Sequence, residues 1–100
     1  MRKVDPETIL QAVANTLSLH ADRIRNCTQP KFEDHKLGYG RASLITQALC
    51  WRLSGLTTTE IAKTIPRHHS SITKAGNRIE QECRSDPKLR ADIKAILKAL

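Results

Sequence analysis

The amino-acid sequence predicts an all-α fold: one domain over residues 1–100, with about six helices and a central helix-turn-helix. Three observations lead there. Apolar residues return every three to four positions along several stretches, the period of a helix with one buried face. Two segments open with an acid followed by proline, Asp5-Pro6 and Asp86-Pro87, which marks a capped helix start. No stretch alternates apolar and polar residues as a half-buried strand does. Phe32, Tyr39 and Trp51 are the sole aromatics, so Leu, Ile, Val and Ala must build the core, as suits packed helices. A chain of 100 residues with 39% hydrophobic residues can collapse around one modest core.

After Asp5-Pro6-Glu7, Ile9, Val13 and Leu17 recur every four residues with Leu10 and Ala14 beside them, one apolar stripe of a first helix. A short second helix is expected over 21–26 with Ile24 inward. Residues 27–40 lose the period, contain Pro30, Gly38 and Gly40, and read as a long loop of the kind that often carries function. Helical spacing returns at Arg41, with Leu44, Ile45, Ala48, Leu49 and Leu53 facing one way. It stops at Ser54-Gly55, where glycine suits the left-handed turn after a helix. Thr57-Thr58-Thr59-Glu60 is a capping box: the Thr57 hydroxyl can accept from the Glu60 N–H while the Glu60 carboxylate accepts from the Thr57 N–H. A short helix over about 58–64 follows and closes before Pro66, which cannot sit inside it. A longer helix then runs to about Arg84 with Ile72, Ala75, Ile79 and Cys83 inward. Beyond Asp86-Pro87, the last helix is lined by Leu89, Ile93, Ile96, Leu97 and Leu100.

Seventeen Lys and Arg against ten Asp and Glu give a formal charge of +7, which points to an anionic partner, nucleic acid or a membrane surface. No stretch approaches the roughly 20 apolar residues of a membrane span, and the start of the chain runs into acids rather than an apolar signal core. The last helix carries Lys88, Arg90, Lys94 and Lys98 but lacks the aromatic anchor of an interfacial helix. No membrane partner is therefore expected, and the expected location is the cytoplasm, on the nucleoid. Cys27, Cys50 and Cys83 are odd in number and widely spaced, which fits small hydrophobes in a reducing compartment rather than a disulfide framework. Together with His20, His35, His68 and His69 they form no Cys-x-x-Cys or His-x-x-x-His pair, so no metal is expected. His69 and Ser70 point about 100° apart on a helix with no third group to orient them. An enzyme, a small-molecule substrate and a cofactor are not expected. Trp51 reads as a half-buried core residue rather than a base-stacking platform.

The informative stretch is residues 57–79, TTTEIAKTIPRHHSSITKAGNRI, within a helix-turn-helix over about 57–84. A capped short helix, a turn and a longer helix form the arrangement whose second helix enters the major groove of DNA. Ala62 is small where two helices would cross; Ile61, Ile65, Ile72 and Ala75 would fill the angle between them; Pro66 stands where the turn usually has glycine. Outward, Arg67, His68, His69, Ser70, Ser71, Thr73 and Lys74 crowd the start of the second helix. Free N–H groups and partial positive charge there favour phosphates, and such side chains donate to phosphates or base edges. Asn77 and Arg78 lie a turn further on. With Thr58 on the preceding helix and Lys36 and Arg41 near the end of the loop, these are the candidate DNA-contacting residues.

Arg67-His68-His69-Ser70-Ser71-Ile72, followed by Ala75 and Arg78-Ile79-Glu80, resembles the signature of the C-terminal DNA-binding domain of the bacterial replication initiator DnaA. Residues 9–17 followed by Leu19-His20-Ala21-Asp22 resemble that family's first helix and its continuation. Arg41-Ala42-Ser43-Leu44-Ile45 resembles the start of its central helix. The resemblance spans nearly the whole chain in order. It implies a Trp-repressor-like fold that binds a short asymmetric site like a DnaA box as a monomer. It also implies that His69 and Ser70 touch bases, that Ser71 and Arg78 touch the backbone, and that Arg41 or Lys36 makes a minor-groove or phosphate contact. Three features depart from the family. His68 stands where the family has an acid, Ser70-Ser71 where it has two threonines, and the segment 27–40 is longer and less basic, with Glu33 and Asp34. The site read by this chain should differ accordingly. The sequence also lacks the Gly-x-x-x-x-Gly-Lys-Ser/Thr loop of an ATPase. The expectation is a bacterial or phage regulator of replication initiation or transcription, acting on double-stranded DNA, with other replication or regulatory proteins as further expected partners. The competing expectation is a helical protein-interaction adaptor whose basic face binds an acidic partner.

Overall fold

The computed structural model describes residues 3–26, 38–65 and 69–100, and of His69 only the backbone. The described residues form six helices and no strand: α1 (Pro6–Leu17), α2 (Ala21–Asn26), α3 (Tyr39–Leu53), α4 (Thr58–Thr64), α5 (His69–Cys83) and α6 (Pro87–Lys98). The all-α expectation holds. Most of the loop expected over 27–40, with Lys36, lies outside the described residues, as do Pro66, Arg67, His68 and the side chain of His69.

The helix starts follow their caps. The Asp5 carboxylate accepts from the Glu7 N–H at 2.8 Å ahead of α1, and the Asp86 carboxylate accepts from the Leu89 N–H at 3.1 Å ahead of α6. In α4 both halves of the capping box form: the Glu60 N–H donates to the Thr57 hydroxyl at 3.2 Å, and the Thr57 N–H donates to the Glu60 carboxylate at 3.3 Å. Gly55, with φ +71, makes the left-handed step after α3. Arg25 on α2 pairs with Glu7 on α1. The His20 N–H donates to the Tyr39 hydroxyl at 3.1 Å, while Arg23 sits 4.2 Å over the Tyr39 ring, so α2 is fastened to the start of α3.

Three expectations are corrected. Tyr39 and Gly40 belong to α3 rather than to a loop: Gly38, at φ +90, takes the left-handed turn that sends the chain into the helix, and Tyr39 is buried. Nor does α3 bury one face. Its buried residues include Ala42, Ser43, Ile45, Thr46, Gln47, Ala48 and Cys50, because α1, α2, α4 and α5 all pack on it, whereas Leu44 and Leu53 are only half-buried. Two of the buried hydroxyls turn back onto the helix, Thr46 donating to the Ala42 carbonyl at 2.8 Å and Ser54 to the Cys50 carbonyl at 2.6 Å. Finally, in α6 Leu89 and Ile96 are fully buried while Leu97 is 44% exposed; one helical step of about 100° carries it off the packed stripe.

The core joins Ile9, Leu10 and Val13 of α1, Ile24 of α2, the inner residues of α3, Ile61 and Ile65, Ile72 and Ile79 of α5, and Leu89 and Ile96 of α6. Cys50 sits within it, and burial, aided by the nearby Asp5 carboxylate, pushes its thiol up to about 12, so it packs as a neutral hydrophobe. Among the described residues no helix is long and apolar enough to cross a membrane.

Candidate nucleic-acid interface

Helix α5 is amphipathic, and its two sides have separate tasks. On the inner side Ile72 is 0%, Ala75 1% and Ile79 5% exposed. Ile72 and Ile79 share the core cluster with Ile61 and Ile65, and α5 packs on α3 and on the short helix α4. The pair α4–α5 is thus held by the isoleucines whose spacing suggested it. Ala62, expected at the crossing, is half-buried against the core.

Two features seat α5 on α3, and neither was anticipated from the sequence. Gly76 lies so close to Trp51 that a Cβ there would stand 2.2 Å from the ring carbon Cε3; only glycine admits this approach. The second is a polar link. The buried Gln47 amide donates to the Ser43 carbonyl at 3.2 Å and to the Ser43 hydroxyl at 3.1 Å, and its carbonyl oxygen accepts from the Ser71 hydroxyl at 3.2 Å. A glycine inside a helical pattern is a signal for close packing, so Gly76 could have been flagged. A glutamine among apolar residues gives no such signal.

The outer side carries Lys74, Asn77 and Arg78, all exposed, with Ser70 and Thr73 half-buried. Three- and four-residue spacing lines up Ser70, Lys74, Asn77 and Gln81 as one stripe. The acids of α5 are paired: Glu80 with Arg52 of α3 at 2.8 Å, and Glu82 with Arg78 at 3.3 Å. Lys74 meets no acid among the described residues. The stripe is therefore donor-rich and positive, the polarity a phosphate backbone and base edges call for.

The expected residues do not all converge. Ser71 faces inward to Gln47, so its hydroxyl is engaged in seating the helix. Arg41 pairs with Asp86 at 3.2 Å, beyond the C-terminal end of a helix of 15 residues that runs roughly 22 Å. That separates it from Ser70–Lys74 at the helix start. Thr58 is half-buried in the first turn of α4.

The chain matches no known protein-family model and no curated protein sequence.

Proposed function

We propose that this protein binds double-stranded DNA through the helix-turn-helix α4–α5, with α5 in the major groove. The observation that carries the reading is the division of α5: an apolar stripe, Ile72, Ala75 and Ile79, packed against the rest of the molecule, and an opposite stripe of Lys74, Asn77 and Arg78 left in solvent. A reading helix needs both, since the first fixes its position and the second supplies donors. The net charge of +7 supplies the sequence-independent attraction to phosphates.

In this mechanism Lys74 and Arg78 neutralise phosphates, and the Asn77 amide is suited to the paired donor and acceptor of an adenine edge. Arg67, His68, His69 and Ser70 sample neighbouring bases. The likeness of residues 67–80 to the DNA-binding domain of DnaA extends the proposal to a Trp-repressor-like arrangement and a short asymmetric site bound by one monomer. The chain then acts on the nucleoid as a regulator of replication or transcription, without ATPase chemistry of its own.

Selection of bound sites from a random duplex library tests this. Enrichment of one short site, with Asn77→Ala costing roughly 1–3 kcal/mol on that site and little on mixed duplex, is the expected result. No shift of any duplex in a mobility assay would reject DNA binding and leave the adaptor reading.

A further inference from the structure

The flank of α5 turned away from the Lys74–Asn77 stripe borders an open apolar groove of about 550 Å³ between α3, α5 and α6. Leu49, Leu53, Ile79, Cys83, Ile93 and Leu97 line it. Leu53, Cys83 and Ile93 are only half-buried, and Leu97 is 44% exposed, so folding leaves a continuous apolar strip in water, as binding surfaces do. The volume is that of a binding cleft.

Charge identifies the kind of occupant. Arg52 and Glu80 line the groove too and neutralise each other at 2.8 Å. The remaining margin is basic. Lys94 and Arg90, three and seven residues before Leu97, fall on the same side of α6, and both are exposed. The sole acid of α6, Asp92, lies on the opposite side of its apolar stripe. A second copy of the chain would bring these cations against their own kind on two molecules of +7 each, and like-charge juxtaposition is costly.

We propose that this groove receives an acidic amphipathic helix of a partner protein. Apolar side chains of that helix at a one-turn repeat fill the strip, and its carboxylates meet Arg90 and Lys94, the helix-in-groove mode of recognition. The groove and the Lys74–Asn77 stripe are different faces of α5, so filling the groove leaves the stripe open. The inference does not depend on the DNA reading.

The test uses the full chain and two labelled synthetic helices with the same leucine repeat, one carrying glutamates at the other positions and one carrying lysines, followed by fluorescence anisotropy. The acidic helix binds about tenfold or more tightly than the basic one. Leu97→Asn and Lys94→Glu each weaken it by about tenfold, while circular dichroism stays helical and Leu97→Asn leaves the affinity for mixed duplex unchanged. Should Leu97→Asn unfold the chain, the exposed Lys94→Glu still decides. Equal affinity for the two helices, no binding of either, or full affinity in the folded variants overturns the proposal. So does a concentration-dependent dimer in sedimentation that Leu97→Asn abolishes, which would give the groove to a second copy. A chain that binds the acidic helix but no duplex keeps this inference and rejects the DNA reading.

Discussion

Helices α3 and α5 are both 15 residues long and pack on each other more extensively than any other pair in the fold, yet they meet their surroundings in opposite ways. Helix α3 is enclosed by α1, α2, α4 and α5, and even its Ser43, Thr46 and Gln47 are buried. Their polar atoms bond to the helix itself or, through Gln47, to Ser71. Helix α5 is enclosed on one side only, and Lys74 and Asn77 find no partner among the described residues. A polar side chain on the enclosed helix therefore has a structural task, since an unpaired buried polar group is costly. The same chemistry on the half-enclosed helix is available to another molecule. The comparison separates the residues that hold α5 in place from those that, on the proposed function, would meet DNA.

The largest expected effect tests the enclosed side of α5. Ile72→Ala should cost roughly 2–5 kcal/mol of stability in a denaturant titration, the range for emptying a fully buried aliphatic site, whereas Lys74→Ala should stay within about 0.5 kcal/mol. Similar losses for both would erase the distinction between the two sides. Next, Gly76→Ala should destabilise by about 1–3 kcal/mol through overpacking on Trp51, although alanine is intrinsically the better helix former by about 1 kcal/mol. Thermal melts and a shift in Trp51 fluorescence would register it, and a stabilised variant would mean that α3 and α5 do not touch there. Gln47→Leu, which removes the link to Ser71 while keeping the volume, should cost about 1 kcal/mol, because the half-buried Ser71 hydroxyl can turn to water. A loss as large as that of Ile72→Ala would make the polar link, rather than the apolar stripe, the main tie between the helices.

The smallest effect concerns the corner beyond α5. The Leu89 N–H, more than the Arg41 guanidinium, holds the Asp86 carboxyl below its ordinary value of 3.8. A carboxyl depressed in the folded state contributes stability that is complete above the unfolded value and fades as pH falls through the folded one. The stability gap between the native chain and Asp86→Asn should thus be constant above about pH 5 and close at lower pH. A gap that persists in acid would show that the carboxylate charge is not what caps α6.

The fold was legible where local chemistry decides it. The bounds of 58–64 are legible from caps, because a capping threonine acts within one turn, as do the acid-proline starts of α1 and α6, and those of 21–26 are legible from period. The start of α3 was not, since Gly38 and Gly40 look like breakers until Gly38 is seen making a left-handed entry and Tyr39 is seen closing over His20. Leu97 fits an inward repeat by spacing and is lost by one helical step. Within the candidate interface, the outward placement of Lys74, Asn77 and Arg78 followed from period alone. The contributions of Gly76, Gln47 and Ser71 did not, for each depends on a residue of another helix that only packing brings near. Arg41 was grouped with the candidate contacts by its place at the end of the loop, and its ion pair with Asp86 takes it to the other end of α5.

The salt dependence of duplex binding tests the central claim most directly. If about four to six phosphates are contacted, log affinity plotted against log salt should fall with a slope of about −4 to −5, and Lys74→Ala should make that slope shallower by about one while leaving the melting temperature unchanged. A slope near zero, or one that Lys74→Ala leaves as steep, would contradict the account, because the outer stripe of α5 would then not lie against the phosphate backbone.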